Sequence, residues 1–212
     1  MINNCKKALV LAPHTDDGEL GMGATISKLI REGVEVHYAA FSPAIESIPK
    51  GFSPDSTRLE VTEATKLLGI RSENLYIYDF EVRIFPEKRQ EILDNLISLR
   101  NKVDPDVIFI PSSDDVHQDH SVIHTEAVRA FKNRTIFCYE LIWNQFSFNS
   151  HLLISLDRED VEKKYNALSC YKTQSGRPYM DKDFIFGLSK ARGVQVGVDF
   201  AEAFEVIRCV IK

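Results

Sequence analysis

Two short polar clusters, each placed directly after an apolar run, contain the residues in this chain best suited to chemistry. The first is His14-Thr15-Asp16-Asp17, which follows KALVLAP; the second is SSDDVHQDH, Ser112 to His120, which follows DVIFIP. Imidazole and carboxylate are the side chains that bind zinc at catalytic centres, where three protein ligands leave a fourth position for water. A two-histidine, one-carboxylate set arises if His14, His120 and one of the neighbouring aspartates bind a common ion. Spacing alone does not choose between Asp16 and Asp17, and an aspartate here also suits the N-cap of a following helix.

The elements that would carry these clusters form a repeating pattern. Runs rich in β-branched and aromatic residues (KALVLAP, VEVHYAAFS, NLYIYDF, DVIFIPSS and TIFCYEL) alternate with helix-like segments at about 18–32, 56–68, 86–102 and 121–132. Gly33 and Gly69 stop two of these helices, and Pro86 opens a third where its missing N–H costs little. Strands alternating with helices predict an α/β, Rossmann-like three-layer fold with a mainly parallel sheet. Further on, HLLISL reads as a strand, REDVEKKYNALSCYK as a helix with a solvated charged face, and AFEVIRCVI as a returning strand; 173–183 reads as a loop. No linker, repeat or low-complexity tract divides the chain, so residues 1–212 read as one domain. In open parallel sheets, ligands bind beyond the carboxyl ends of the strands. Both polar clusters are then expected on the same rim.

H-x-D-D after an apolar strand, L-G-x-G just beyond it and a later D-x-H-x-D-H resemble the LmbE-like, or PIG-L, superfamily of zinc-dependent N-deacetylases. The matching residues are His14, Asp16, Asp17, Leu20, Gly21 and Gly23, then Asp115, His117, Asp119 and His120. Glu60, Ala64, Leu68 and Gly69, and the late VDFAEAF (Val198 to Phe204), extend the likeness over nearly the whole chain. The resemblance implies that His14, Asp17 and His120 hold Zn2+ and that Asp16 is the general base. It further implies that His117 polarises or protonates the tetrahedral intermediate, with Asp119 hydrogen-bonded to His117. Zinc would acidify a bound water, and the pair of donors would stabilise the oxyanion as an N-acetyl group leaves an amino-sugar derivative as acetate. Fe2+ suits the same ligand set. The common motif is H-P-D-D-E; Thr15 stands here for its proline, Gly18 for its glutamate, and Gln118 for a proline in the second motif. The family often forms trimers or hexamers.

Other features carry less. Gly18, Gly21 and Gly23 run G-x-x-G-x-G, the reverse of a dinucleotide fingerprint, so close helix–strand packing is the expected use. Arg58 is a candidate substrate contact. His124, four residues after His120, is expected near the metal or at the surface rather than on the ion, while His37 and His151 read as packing or surface residues. The aromatic residues of IWNQFSF, Ile142 to Phe148, suit stacking on a sugar ring, a subunit contact or the core. The four scattered cysteines make no metal or redox motif.

Bulk properties narrow the classes. A formal charge of −5 argues against nucleic acid, and no apolar run is long enough to span a membrane. The opening MINNCKKALVLAP reads as a first strand rather than a leader, and the chain as cytoplasmic, with a small N-acetylated sugar as its partner. The competing class is an α/β module that binds a nucleotide or sugar phosphate on the same rim without deacetylase activity. Clustered carboxylates disfavour it, because phosphate needs backbone amides and basic residues.

Overall fold

The computed structural model describes residues 5–210; Met1 to Asn4 of the leader-like opening and the end of the returning strand beyond 210 lie outside them. Seven strands form one sheet in the order β3-β2-β1-β4-β5-β7-β6. The strands are β1 (Lys7–His14), β2 (Glu35–Ser42), β3 (Leu75–Ile77), β4 (Val107–Pro111), β5 (Thr135–Tyr139), β6 (Leu152–Leu156) and β7 (Phe200–Arg208). The helices are α1 (Asp17–Arg31), α2 (Ser56–Leu68), α3 (Arg89–Val103), α4 (Gln118–Ala130), α5 (Arg158–Leu168) and α6 (Lys182–Val194). β1 to β5 run parallel, and β7 pairs antiparallel with both β5 and β6. The mainly parallel, three-layer α/β reading therefore holds, with an antiparallel pair added at one edge.

Helices cover both faces, which is why the central strands read as unbroken apolar runs. Successive side chains of β1 go to opposite sides. Ala8, Val10 and Ala12 join Ile26, Val61, Val161 and Ile185 of α1, α2, α5 and α6 in one core. Leu9 and Leu11 join Leu96 and Ile123 of α3 and α4 in the other. The chain moves outward from β1 to β3 and then returns to β4 on the far side of β1, so the direction of winding reverses between β1 and β4. A crevice opens there beyond the strand ends, flanked by His14 at the end of β1 and Pro111 at the end of β4.

Several elements depart from the sequence reading: α3 begins at Arg89, with Pro86 in the 3₁₀ turn Phe85–Lys88 before it, and β3 keeps three residues of NLYIYDF. α4 begins at Gln118, three residues before the expected start, so Asp119 and His120 lie in its first turn; the His117 side chain caps it by accepting the Asp119 N–H. α6 was not expected at all. Asp181 caps it by accepting the N–H groups of Asp183 and Phe184, a start signal obscured by Gly187 and Gly193 inside the helix. Among the described residues, no helix is long and apolar enough to cross a membrane.

α1 is broken at Met22, whose backbone is non-helical. The N–H groups of Ala24 and Thr25, released from the helix ladder, donate to the carboxylate of Glu202 on β7 at 3.2 and 2.7 Å. Lys164 of α5 neutralises that carboxylate at 2.7 Å, and both side chains are buried. The break gives the first turn of α1, which bears Asp17, its own anchorage separate from the rest of the helix.

Candidate active site

The crevice brings both clusters together. Asp17 opens α1, and its Oδ2 accepts the backbone N–H of His14 at 2.8 Å, which folds the turn back on the strand end. The same Oδ2 lies 3.1 Å from His14 Nδ1 and 3.2 Å from His120 Nε2. These two imidazole nitrogens are themselves 3.2 Å apart.

The outer nitrogens of both rings are held by carboxylates. His120 Nδ1 lies 2.7 Å from Asp115 Oδ2, and His14 Nε2 lies 3.0 Å from Asp119 Oδ2. Each carboxylate fixes its ring with the hydrogen on the outer side, so the inner nitrogens present lone pairs. His14 Nδ1, His120 Nε2 and Asp17 Oδ2 are then three acceptors facing one another, an arrangement that requires a cation or shared protons. In the protein alone the imbalance shows as proton affinity. Burial disfavours charge on His120, but Asp17 and then Asp115 outweigh it and push its pKa up to about 10. Burial also opposes charge on His14, but hydrogen bonds to Asp119 and Asp17 overcome it and raise that pKa too. Burial likewise opposes charge on Asp17, yet His120 and His14 hold it below the usual carboxylate range. Ligand atoms separated this way leave a common point about 2 Å from each, the distance at which zinc takes nitrogen and oxygen ligands. The donor set fits a divalent ion.

His117 is close by, with one nitrogen within 4.8 Å of nitrogens of His14 and His120. Its Nδ1 accepts the Asp119 backbone N–H at 3.2 Å. The neutral ring then carries its hydrogen on Nε2, and burial together with the neighbouring histidines lowers its pKa and favours that form. The carboxylate contact expected between Asp119 and His117 is not made. Helix geometry turns the Asp119 side chain the other way, where it takes His14 Nε2, the Arg83 N–H at 2.7 Å and the Phe85 N–H at 3.4 Å. Arg83 adopts φ +74°, an unusual conformation for a residue with a side chain, and this aims its N–H at Asp119.

Asp16 occupies the N-cap position of α1 without capping it. Among the described residues no side chain bonds its carboxylate. Burial, then the charge of Asp17, pushes its pKa up to about 6. A carboxylate with no side-chain partner among the described residues, beside a cation-seeking triangle, has the properties of a base.

A second layer supports the turn from below. Glu19 is fully buried; Tyr38 and Tyr171 both donate to its carboxyl and both also reach the Thr15 carbonyl. Burial pushes Glu19 up to about 8. A neutral Glu19 can donate its own proton to one tyrosine, which frees that hydroxyl to serve Thr15. Gly18 is explained by the same tyrosine, since a Cβ there would lie 2.6 Å from the Tyr38 ring. A Cβ on Gly21 would meet Tyr139 at 2.3 Å, so these glycines serve close packing.

The remaining candidates have other partners. The Arg58 guanidinium pairs with Asp79. His124 Nδ1 bonds the Pro111 carbonyl at 3.0 Å, His37 bonds Glu35 and Tyr76, and His151 accepts the Val206 N–H. Sequence reasoning assigned no role to Asp115, although its place in D-x-H-x-D-H was a signal. It also passed over Glu19, whose signal was a carboxylate on an otherwise apolar helix face. Nothing in the sequence marked the N–H groups of Arg83 and Phe85.

Comparison with known proteins finds relatives by sequence and by fold. A profile of the GlcNAc-PI de-N-acetylase family, PIG-L, matches residues 9–131. Diacetylchitobiose deacetylase of Thermococcus kodakarensis is 27% identical over 114 residues, covering 51% of this chain and 42% of that protein. Among solved structures, the conserved protein TT1542 of Thermus thermophilus superposes with a TM-score of 0.80 at 25% identity, covering 97% of this chain and 96% of that one. N,N'-diacetylchitobiose deacetylase of Pyrococcus horikoshii superposes with a TM-score of 0.82 at 22% identity, covering 97% and 85%.

Proposed function

The chain belongs to the GlcNAc-PI de-N-acetylase (PIG-L) family, and from that premise we propose that it is a metal-dependent N-deacetylase acting on an N-acetylated amino-sugar derivative and releasing acetate. One observation carries the reading: three acceptor atoms, His14 Nδ1, Asp17 Oδ2 and His120 Nε2, converge at 3.1–3.2 Å, and the adjacent Asp16 carboxylate does not cap the helix it precedes. The diacetylchitobiose deacetylase relative, though matched over less than half its length, supports an acetamido sugar as the substrate class.

In this reading His14, Asp17 and His120 hold the ion, with zinc first and iron(II) second by ligand type. A divalent ion bound there would acidify a water and polarise the acetamide carbonyl. Asp16 takes the proton of the attacking water. His117 presents Nε2–H to the carbonyl oxygen as it gains charge, a contact commonly worth about 3–4 kcal/mol. The proton held by Asp16 then passes to the leaving nitrogen, so that amine and acetate depart. Asp115 and Asp119 act through the imidazoles they orient, and are positioning residues. Arg58, whose guanidinium pairs with Asp79, is the proposed substrate contact. Free thiols at Cys5, Cys138 and Cys170 suit a reducing, cytoplasmic setting, with residues 1–212 acting as one catalytic domain.

The test is acetate release by zinc-loaded protein across N-acetylglucosamine and its derivatives. Acetate formed in step with a free amine supports the proposal. A protein that binds one equivalent of metal and releases acetate from none of them overturns it.

A further inference from the structure

The loop after β5 carries exposed apolar side chains that the chemistry above does not use. A turn of 3₁₀ helix, Ile142–Asn144, follows the carboxyl end of β5, the strand beside β4. Two contacts clamp this loop to the segment bearing His117. The Asn144 carbonyl accepts the Val116 N–H at 3.0 Å, and Ser147 Oγ donates to Asp114 Oδ2 at 2.8 Å. Trp143 is thereby fixed near the catalytic rim.

Its indole stacks on the Tyr179 ring, with centroids 4.1 Å apart and planes inclined by 15°. Tyr179 sits in the connection between α5 and α6. It lies close enough to Asp16 and Asp17 that, after burial, their charges raise its pKa. The loop bearing Trp143 is thus tied to the His117 side of the crevice, with Tyr179 stacked on it. Trp143 remains 37% exposed, and Val116 and Phe146 beside it are 63% and 98% exposed. Among the described residues, Gln145 finds no partner for either buried amide heteroatom, so the loop is not built for stability alone.

A partly exposed indole, stacked on Tyr179 and tilted against Phe184, in a loop tied to the His117 segment, is suited to the C–H face of a second pyranose ring. We propose that Trp143, backed by Tyr179, forms a subsite for a second sugar unit linked to the N-acetylated one, so that the preferred substrate is an oligosaccharide rather than a monosaccharide. The proposal rests on the deacetylase reading for the identity of the first ring, but its binding test does not.

Trp143 is the only tryptophan in the chain, so emission excited beyond the tyrosine absorption band reports on this surface alone. The zinc-loaded Asp16→Asn protein is titrated with N,N'-diacetylchitobiose and, separately, with N-acetylglucosamine. Saturable quenching is expected with the disaccharide, at least tenfold tighter than with the monosaccharide. In turnover, Trp143→Ala is expected to lower the disaccharide-to-monosaccharide ratio of kcat/KM at least fivefold through KM, with Trp143→Phe retaining most of the ratio. Unchanged emission with the disaccharide, or an unchanged ratio in Trp143→Ala, overturns the subsite. Emission that responds to protein concentration but not to sugar also overturns it, in favour of contact with a second copy. Emission that responds to the disaccharide while wild type releases no acetate supports the subsite and overturns the deacetylase reading, so the two fail separately.

Discussion

His14 Nδ1 and His120 Nε2 face each other at 3.2 Å although 106 residues separate them in sequence. Each ring is backed by a carboxylate on its outer nitrogen, and both inner nitrogens meet the same oxygen of Asp17. Without a metal, a proton is drawn to this place: against burial, Asp17 and Asp115 raise His120 to about 10. Metal and proton therefore compete for one place.

Metal uptake is accordingly expected to release protons at pH 7 and to strengthen as pH rises, because the imidazoles must be neutral to bind. His14→Ala and His120→Ala should each lose the ion, while Asp115→Asn and Asp119→Asn should weaken it by about 10–100-fold by freeing the rings they orient. Zinc titration in weakly buffered solution with a pH indicator, together with metal analysis of the variants, checks this. Proton-neutral uptake would contradict the competition.

Asp16→Asn should retain the metal and lose about 10²–10⁴ in kcat, the range ascribed to a positioned base. Burial and Asp17 put the Asp16 carboxyl at about 6 in the metal-free site, and a nearby cation lowers it. The base must be ionised to work. The wild-type rate should therefore climb with pH up to an inflection at or below about 6, and Asp16→Asn should lack that limb. A pH–rate profile decides it; wild-type turnover in the variant removes Asp16 from the role.

The sheet was readable because the central strands are apolar on both faces and the intervening helices carry ordinary stops. α2 appears at Ser56–Leu68 as expected, and Gly69 closes it in the left-handed conformation. Both clusters were legible as ends of strands. The direction of the Asp119 side chain was not, because α4 starts at Gln118 instead of Ser121 and an early helical turn rotates it from His117 toward His14. Arg83 and Phe85 contribute only backbone N–H groups, which every residue but proline has, so side-chain pattern holds no trace of them. α6 was lost because its two glycines dilute a helical signal that packing restores.

Glu19 offers a prediction about the metal-free fold. Burial raises its carboxyl to about 8 in the folded protein, against about 4.3 in an unfolded chain. Between these values the folded state holds a proton that the unfolded state has lost. Stability from this group is therefore greatest below pH 4.3, falls as pH rises through the interval, and is level above 8. The difference in unfolding free energy between wild type and Glu19→Gln should decline across that window in metal-free protein. Chemical denaturation at several pH values measures it; a difference that rises with pH would mean that Glu19 is buried as an anion.

Glu202 and Lys164 test what holds the broken helix. Glu202 satisfies two backbone N–H groups of α1 and one ammonium, whereas Lys164 satisfies only Glu202. Glu202→Ala strands all three donors in a buried place and should cost about 3–5 kcal/mol. Lys164→Met leaves the carboxylate with two N–H partners and supplies an apolar side chain of similar length, so it should cost distinctly less. Denaturation midpoints with unchanged m-values rank the two. Equal losses would mean that the ion pair dominates; the expected order means that capping the second half of α1, beyond the break at Met22, is the main work of Glu202.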